Sequence, residues 1–287
     1  PRRAITSASF TDFVGSALRR TTESRISSSP TATLFNIGLA AAMNRPWLKV
    51  RRRPRVAIMP TGDEIVMPGD PIGPSQIVSS NGFAVGAFVR ERGGEPVHLG
   101  NAPDSEDALR AMAEGARGAD LFVTSGGVSV GDHDLVRKAL GASGLAVDFW
   151  QIAMRPGKPL MFGRVGDTPI VGLPGNPVSS AVCALLFIGP ALDAMLGLGG
   201  APRRRAAILG ADLPANDRRE DYLRAELSTD AGGRPVATPF GKQDSSMLSL
   251  LARSDCLVVR KPNAPAAKAG DGCEVLPLGE ATAGGGF

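Results

Sequence analysis

Three short loops carry the residues whose types and spacing can do chemistry. The first, Thr124-Ser125-Gly126-Gly127-Val128-Ser129-Val130-Gly131-Asp132-His133-Asp134, follows the apolar run Leu121-Phe122-Val123. Small residues at a strand end bring backbone N–H groups close to an anion, with no Cβ in the way. Asp132 and Asp134 close the loop, and carboxylates suit Mg2+, which takes a few protein oxygens beside waters and phosphate. The plain alternative is a helix N-terminus supplied with acids to complement its dipole. His133 reads as a solvated neighbour rather than a base. The second loop, Arg155-Pro156-Gly157-Lys158-Pro159, holds two cations around a turn stiffened by prolines, which suits a tetrahedral oxyanion; a β-turn with surface charges is the alternative. The third, Gly172-Leu173-Pro174-Gly175-Asn176-Pro177, opens an apolar helix whose first N–H groups are free for an anion. Upstream, Thr61-Gly62-Asp63-Glu64 and Asp104 also follow short apolar runs, where each acid is either a cap or a site residue. There is no Ser/His/Asp triad, no lone reactive Cys, no Walker A and no G-x-G-x-x-G. The chemistry on offer is anion cradling and metal carboxylates rather than a nucleophile.

The elements that must position these loops follow from periodicity. Residues 55–59 read as a short buried strand ended by Pro60. Ser79, Ser80 or Asn81 can cap a helix running to Arg92, with Gly93-Gly94 as its stop. Residues 97–99 form the next strand. Asp104 or Ser105 then caps a helix with Leu109, Met112 and Ala116 on one face. A strand over 121–124, a helix over 135–140, a strand over 147–154 and another over 169–171 follow. Strands alternating with helices imply an α/β fold: a mostly parallel, doubly wound sheet, with ligands beyond the carboxyl ends of its strands. After residue 200 the texture changes to short segments, 205–209, 222–227, 256–260 and 273–278, separated by Gly, Pro, Asn and Asp, as in a small C-terminal β domain. The expected organisation is therefore residues 1–33 unassigned, 34–54 an N-terminal remnant and linker, 55–200 the α/β domain, 201–280 the β domain and 281–287 a flexible tail.

Composition narrows the classes. The 287 residues are 43% hydrophobic, enough for a sizeable core. The longest apolar segment, 178–198, contains Pro190 and Asp193 and reads as a buried helix, so no membrane span is expected. Three cysteines, far apart and without C-x-x-C, argue against a zinc site and for a reduced, cytoplasmic compartment. The net charge of +4 hides an asymmetry, +9 over residues 1–55 and −5 over the rest. That places the basic excess in an N-terminal segment, not on a nucleic-acid-binding face. The cluster Lys49-Val50-Arg51-Arg52-Arg53-Pro54-Arg55 reads as a solvated linker. Residues 1–33, rich in Ser, Thr and Arg, read as a disordered extension or an organellar-type leader.

Taken together, Thr61-Gly62-Asp63-Glu64, Ser80-Asn81, the 124–134 loop, Pro156-Gly157-Lys158-Pro159 and the 172–177 loop closely resemble the MoeA-type molybdopterin molybdenumtransferase family, related to the E domain of gephyrin. The likeness runs in order from about Leu39 to Leu278. It implies Mg2+-dependent insertion of molybdate into adenylylated molybdopterin with release of AMP, and a homodimer in full-length members. By motif, it implies catalytic roles for Asp134, Lys158 and Asp104 and metal ligation by Glu64, Asp104 and Asp134. It implies pterin or nucleotide contacts from Thr61, Glu64, Ser125, Gly126, Gly127, Ser129, Arg155, Pro174, Gly175 and Asn176. Arg155 stands where many relatives have Lys, and Gln151 at another position that is Lys in some. Arg224 and Ser245 fall near positions resembling site-lining residues. Family members carry about 150 further residues of elongated domains before the strand at Val56, where this chain has 54. The competing readings are a truncated molybdopterin-binding module and a molybdopterin adenylyltransferase, which shares the α/β domain. Competence-damage type nucleotide hydrolases share fewer of these loops.

Overall fold

The computed structural model describes residues 23–25, 34–45, 49–127, 135–141, 143–198 and 204–278. Ser129 and Asp134, with Asp132 and His133, lie outside the described residues. In chain order the first elements are β1 (Glu23–Arg25), α1 (Leu34–Ala42) and β2 (Lys49–Arg51), with β1 and β2 paired antiparallel.

Apolar runs at 56–59, 121–125, 159–163 and 169–173 build the main sheet. Its strands are β3 (Arg55–Pro60), β6 (Glu95–His98), β7 (Leu121–Ser125), β8 (Leu145–Gln151), β10 (Pro159–Val165) and β11 (Thr168–Leu173). Between β3 and β6 lie the short pair β4 (Ile65–Val66) and β5 (Ile77–Val78) and the helix α2 (Asn81–Glu91). The order is β6-β3-β7-β11-β10-β8; β10 alone runs antiparallel to its neighbours, so β8 points the same way as the first four strands. Successive residues of a strand face opposite sides, and here both sides are covered. Val56, Ile58, Leu121, Val123, Val171 and Leu173 enter one core with α2, while Ala57, Met59, Phe122 and Ile170 enter another with α3 (Glu106–Ala113) and α4 (Leu135–Gly141). Helix starts and stops follow local chemistry. The Ser105 hydroxyl accepts from the N–H of Ala108, and left-handed Gly93 follows α2.

The 177–196 segment is one long helix in three parts: α5 (Pro177–Cys183), a π-helical turn (Ala184–Ile188) and α6 (Gly189–Leu196), ended by left-handed Gly197. Pro190 lacks the N–H that would bond the Leu186 carbonyl, which accounts for the loosened ladder just before it. The segment is long and apolar enough to cross a membrane, yet 83% of it is buried inside the fold. It is a core helix, in accord with the sequence reading.

The second sheet comprises β12 (Arg205–Leu209), β13 (Glu220–Thr229), β14 (Pro235–Pro239), β15 (Cys256–Arg260) and β16 (Gly272–Pro277), with the short helix α7 (Leu248–Ala252) between β14 and β15. Because β14 pairs with both β12 and β13, the five strands close into a small barrel around Leu209, Ala225, Ala237, Cys256, Val258 and Val275. A sixth strand, β9 (Met154–Arg155), joins β13 in parallel.

Four expectations change. The 147–154 strand is two strands in two different sheets, because Ile152 and Ala153 break the run and β9 turns to the barrel. Strands β10 and β14 went unread, β10 because Pro159 and Gly163 disguise its apolar face. The segment 49–55 is not a solvated linker. The Arg52 guanidinium grips Asp120 with both nitrogens, at 2.6 and 2.5 Å, and Arg51 Nη1 donates to the carbonyls of Ala194 and Met195 at the end of α6. Finally, residues 23–25 within the unassigned N-terminal stretch pair with that segment. The three cysteines are free, and burial pushes the Cys183 thiol far up and the Cys256 thiol to about 12, so both are neutral core side chains.

Candidate functional site

Strands β3, β7 and β11 run parallel, so Thr61, Gly126 and Pro174, which follow them, leave the sheet at one edge. The Thr61 N–H donates to the Ser125 carbonyl at 2.9 Å and the Gly126 N–H to the Leu173 carbonyl at 3.3 Å, which staples the three exits together. Gly126 and Gly127 both have positive φ, +91° and +61°. A Cβ on Gly127 would lie 2.7 Å from Thr61 Oγ1 and 2.8 Å from Val136, so the turn passes directly over Thr61. Thr61 Oγ1 is buried with no hydrogen-bond partner among the described residues.

Asn81, read from the sequence as a helix cap, does something else. The N-cap of α2 is Ser80, without a side-chain cap bond. Asn81 Nδ2 instead donates to Ser125 Oγ at 2.9 Å and to the Gly175 carbonyl at 2.7 Å. Ser125 Oγ donates on to the Pro174 carbonyl at 3.4 Å. One amide thus ties the glycine loop to the 172–177 loop. Pro174 and Ser125 are buried, and Gly175 and Asn176 face solvent. Asn176 Nδ2 donates to Ser245 Oγ at 3.0 Å, and the Val178 N–H to the Ser245 carbonyl at 3.1 Å, so the barrel side of the molecule meets the same loop.

Lys158 reaches this edge by a different route. Its strand β10 runs antiparallel to β11, so the start of β10 lies beside the end of β11. The second loop therefore lies between the carboxyl end of β8, which runs with β11, and the start of β10, both at this edge. Lys158 is exposed and makes no ion pair among the described residues, whereas Arg155 is engaged by Asp221 and, at 3.5 Å, by Asp217. The Arg155 charge, expected at an anion, is shared with the barrel's carboxylates. Arg224 acts at one remove from the loops. It is buried, with its guanidinium donating to the Met247 carbonyl at 2.9 Å and to Gln243 Oε1, so it braces the 242–247 loop that carries Ser245.

On the far side, Asp63 Oδ1 accepts from the Asp104 N–H at 2.9 Å, and Asn101 Nδ2 holds the Gly62 and Ile65 carbonyls at 2.9 and 3.3 Å. Burial, then the charges of Asp63 and Glu64, push the Asp104 carboxyl above its ordinary value. Three like charges at one turn are what a cation would relieve. Among the described residues no three His, Cys, Asp or Glu side chains form a metal-binding group; Glu64 and Asp104 are the carboxylates of this turn that could hold a hard cation such as Mg2+. Sequence reasoning missed Asn81, Asn101 and Asp63 as organisers; the Ser80-Asn81 dipeptide was the available signal.

Two family models match in series: "Probable molybdopterin binding domain" over residues 57–194 and "MoeA C-terminal region (domain IV)" over residues 206–278. "Molybdopterin molybdenumtransferase 2" of Mycobacterium tuberculosis is 38% identical over 229 residues, 77% of this chain and 56% of the relative. The molybdopterin molybdenumtransferase of Haemophilus influenzae is 32% identical over 249 residues, 86% of this chain and 61% of the relative. The crystal structure of the molybdopterin biosynthesis MoeA protein from Pyrococcus horikoshii superposes with a TM-score of 0.73 at 31% identity, covering 85% of this chain and 59% of that one. The chain thus spans a little over half the length of the relatives it matches. With both matched domains in series and the three loops gathered at one sheet edge, the chain belongs to the MoeA-type molybdopterin molybdenumtransferase family.

Proposed function

We propose that this chain inserts molybdate into adenylylated molybdopterin, releasing AMP, and acts in a cytoplasmic step of molybdenum cofactor biosynthesis. The observation that carries the reading is the tie made by Asn81, which joins two anion-suited loops at the edge where the uncommitted cation Lys158 emerges. Exposed Gly175 and Asn176 and the Thr61 hydroxyl, which has no partner among the described residues, offer backbone and side-chain groups to the pterin and its phosphates, while Ser125 holds the two loops that present them. Lys158 offsets negative charge on molybdate or on the departing phosphate, an interaction worth most as that charge develops. Glu64 and Asp104 would hold Mg2+, with Asp134 as a third carboxylate, and the ion when bound neutralises phosphate charge. Ser129 and Gly127 complete the glycine loop. A homodimer is proposed as in the resemblance; exposed Ile77, whose N–H donates to the Glu64 carbonyl at 2.8 Å, and exposed Ile72 would suit a protein contact.

The match to a molybdopterin-binding domain over residues 57–194 leaves a second reading, a module that binds molybdopterin-AMP without turnover. Incubating the full chain with adenylylated molybdopterin, molybdate and Mg2+ separates them. Molybdate-dependent AMP release is the expected result. Binding without release leaves the module; ATP consumption with free molybdopterin would make it an adenylyltransferase.

A further inference from the structure

We propose that Asp221, on the barrel, is a positioning residue for the Arg155–Pro159 loop: its carboxylate fixes Arg155 and thereby sets where Lys158 stands. The proposal rests on the reading that Lys158 meets the anion. Strand β9 pairs in parallel with the start of β13, with Arg155 directly opposite Asp221 and the Glu220 N–H bonded to the Ala153 carbonyl at 2.9 Å. Paired residues of neighbouring strands project to the same face, so the register itself brings the guanidinium onto the carboxylate. Asp221 is 4% exposed, and Arg155 is its one side-chain partner among the described residues; its Oδ1 has none. A buried carboxylate held by one cation constrains that cation strongly, because release would leave a charge unpaired away from water. Asp217 adds a second carboxylate on the same guanidinium and is itself gripped by Arg219 at 2.6 Å.

The other end of the loop belongs to the main domain. The Ile152 N–H donates to the Lys158 carbonyl at 3.2 Å, the Cys183 thiol reaches the Gly157 carbonyl at 3.9 Å, and Pro159 begins β10. Residues 156–158 are therefore stretched between two sheets, with an anchor in each. The Lys158 side chain has no ion pair among the described residues to fix it, so its backbone anchors set its position. The barrel acts as one jaw of the clamp.

The test is hydrogen exchange on the full chain, read at the amides of Ile152 and Glu220, which donate to the Lys158 and Ala153 carbonyls, with Asp221→Asn, Arg155→Lys and Arg155→Met. Asp221→Asn and Arg155→Met are expected to speed exchange at these amides by an order of magnitude, leaving β7 and β11 protected, while Arg155→Lys keeps most of the protection. Where turnover is measurable, the KM for molybdate should rise while kcat changes little, since a misplaced cation weakens capture, whereas loss of folded protein lowers only the apparent kcat. Unchanged exchange, acceleration spread evenly over the molecule, or equal behaviour of the Lys and Met variants would overturn the clamp. If Asp221→Asn does not fold, the two Arg155 variants decide alone. A wild-type chain that neither binds nor turns over substrate refutes the proposed function, and the exchange comparison still reads the clamp.

Discussion

Lys158 and Arg155 are three residues apart, equally charged, and bracket the same turn, yet among the described residues Arg155 is ion-paired and Lys158 is not. Nothing in their spacing distinguishes them. The difference comes from Asp217 and Asp221, more than sixty residues downstream, which the barrel delivers to Arg155. Lys158→Ala is accordingly expected to change unfolding free energy by no more than about 0.5 kcal/mol, as for an exposed, unpaired side chain. It should nevertheless weaken retention of adenylylated molybdopterin and molybdate, checked by urea melts beside equilibrium binding. Asn81→Ala should behave in the opposite way. It leaves Ser125 and the Gly175 carbonyl without their donor, at a cost of about 1–3 kcal/mol, readable in the same urea melts. Asp104 offers a third contrast. Its raised pKa means its charge is held against a penalty, so Asp104→Asn should raise the metal-free melting temperature while erasing any rise that Mg2+ produces. A Mg2+-induced rise that survives the substitution removes Asp104 from the metal site.

At the scale of elements, what was legible follows from locality. The parallel strands β3, β7 and β11 announce themselves as apolar runs, and the exits after them carry the Gly and Pro that sharp turns demand. Their shared edge then follows from parallel pairing alone. The helix α3 was readable from Ser105 and the spacing of Leu109 and Met112. Illegible were features set by pairing across distance: the splitting of 147–154 between two sheets, the antiparallel run of β10, and the use of Asn81 as a tie rather than a cap. A side-chain amide looks the same in sequence whether it bonds its own helix or a loop 94 residues away. The approach to β13 yields a prediction of its own. Arg219, through its side chain and its backbone N–H, holds the Asp217 carboxyl at about 2 against an ordinary 3.8. A depressed carboxylate lends stability that is complete above its unfolded value and is lost as pH falls toward its folded one. Thermal stability should thus decline between about pH 4 and pH 2 with a steeper acid limb in the wild type than in Asp217→Asn, and salt should shrink the difference because the pair is exposed. Identical acid limbs would show that the pair contributes nothing.

Across the whole molecule, the two matched domains are less separable than their boundaries suggest. The barrel contributes Tyr222, Leu257, Val259 and Leu276 to the same core as the long helix and the main sheet, and β9 and Ser245 cross the divide in both directions. The barrel is therefore expected to melt with the α/β domain in one transition, and a chain ending before β12 should expose apolar helix surface and bind a hydrophobic dye such as ANS. Two separate calorimetric transitions would contradict the shared core.

That shared core also bears on biosynthesis. The helix at 177–196 leaves the ribosome well before the strands that cover it, since Leu257, Val259 and Leu276 come later in the chain. At elongation rates of about 5–20 residues per second, an apolar surface waits for several seconds without its cover. The nascent chain should therefore pass through a window in which chaperone capture competes with self-association, and slow codons between the helix and the barrel would lengthen that window.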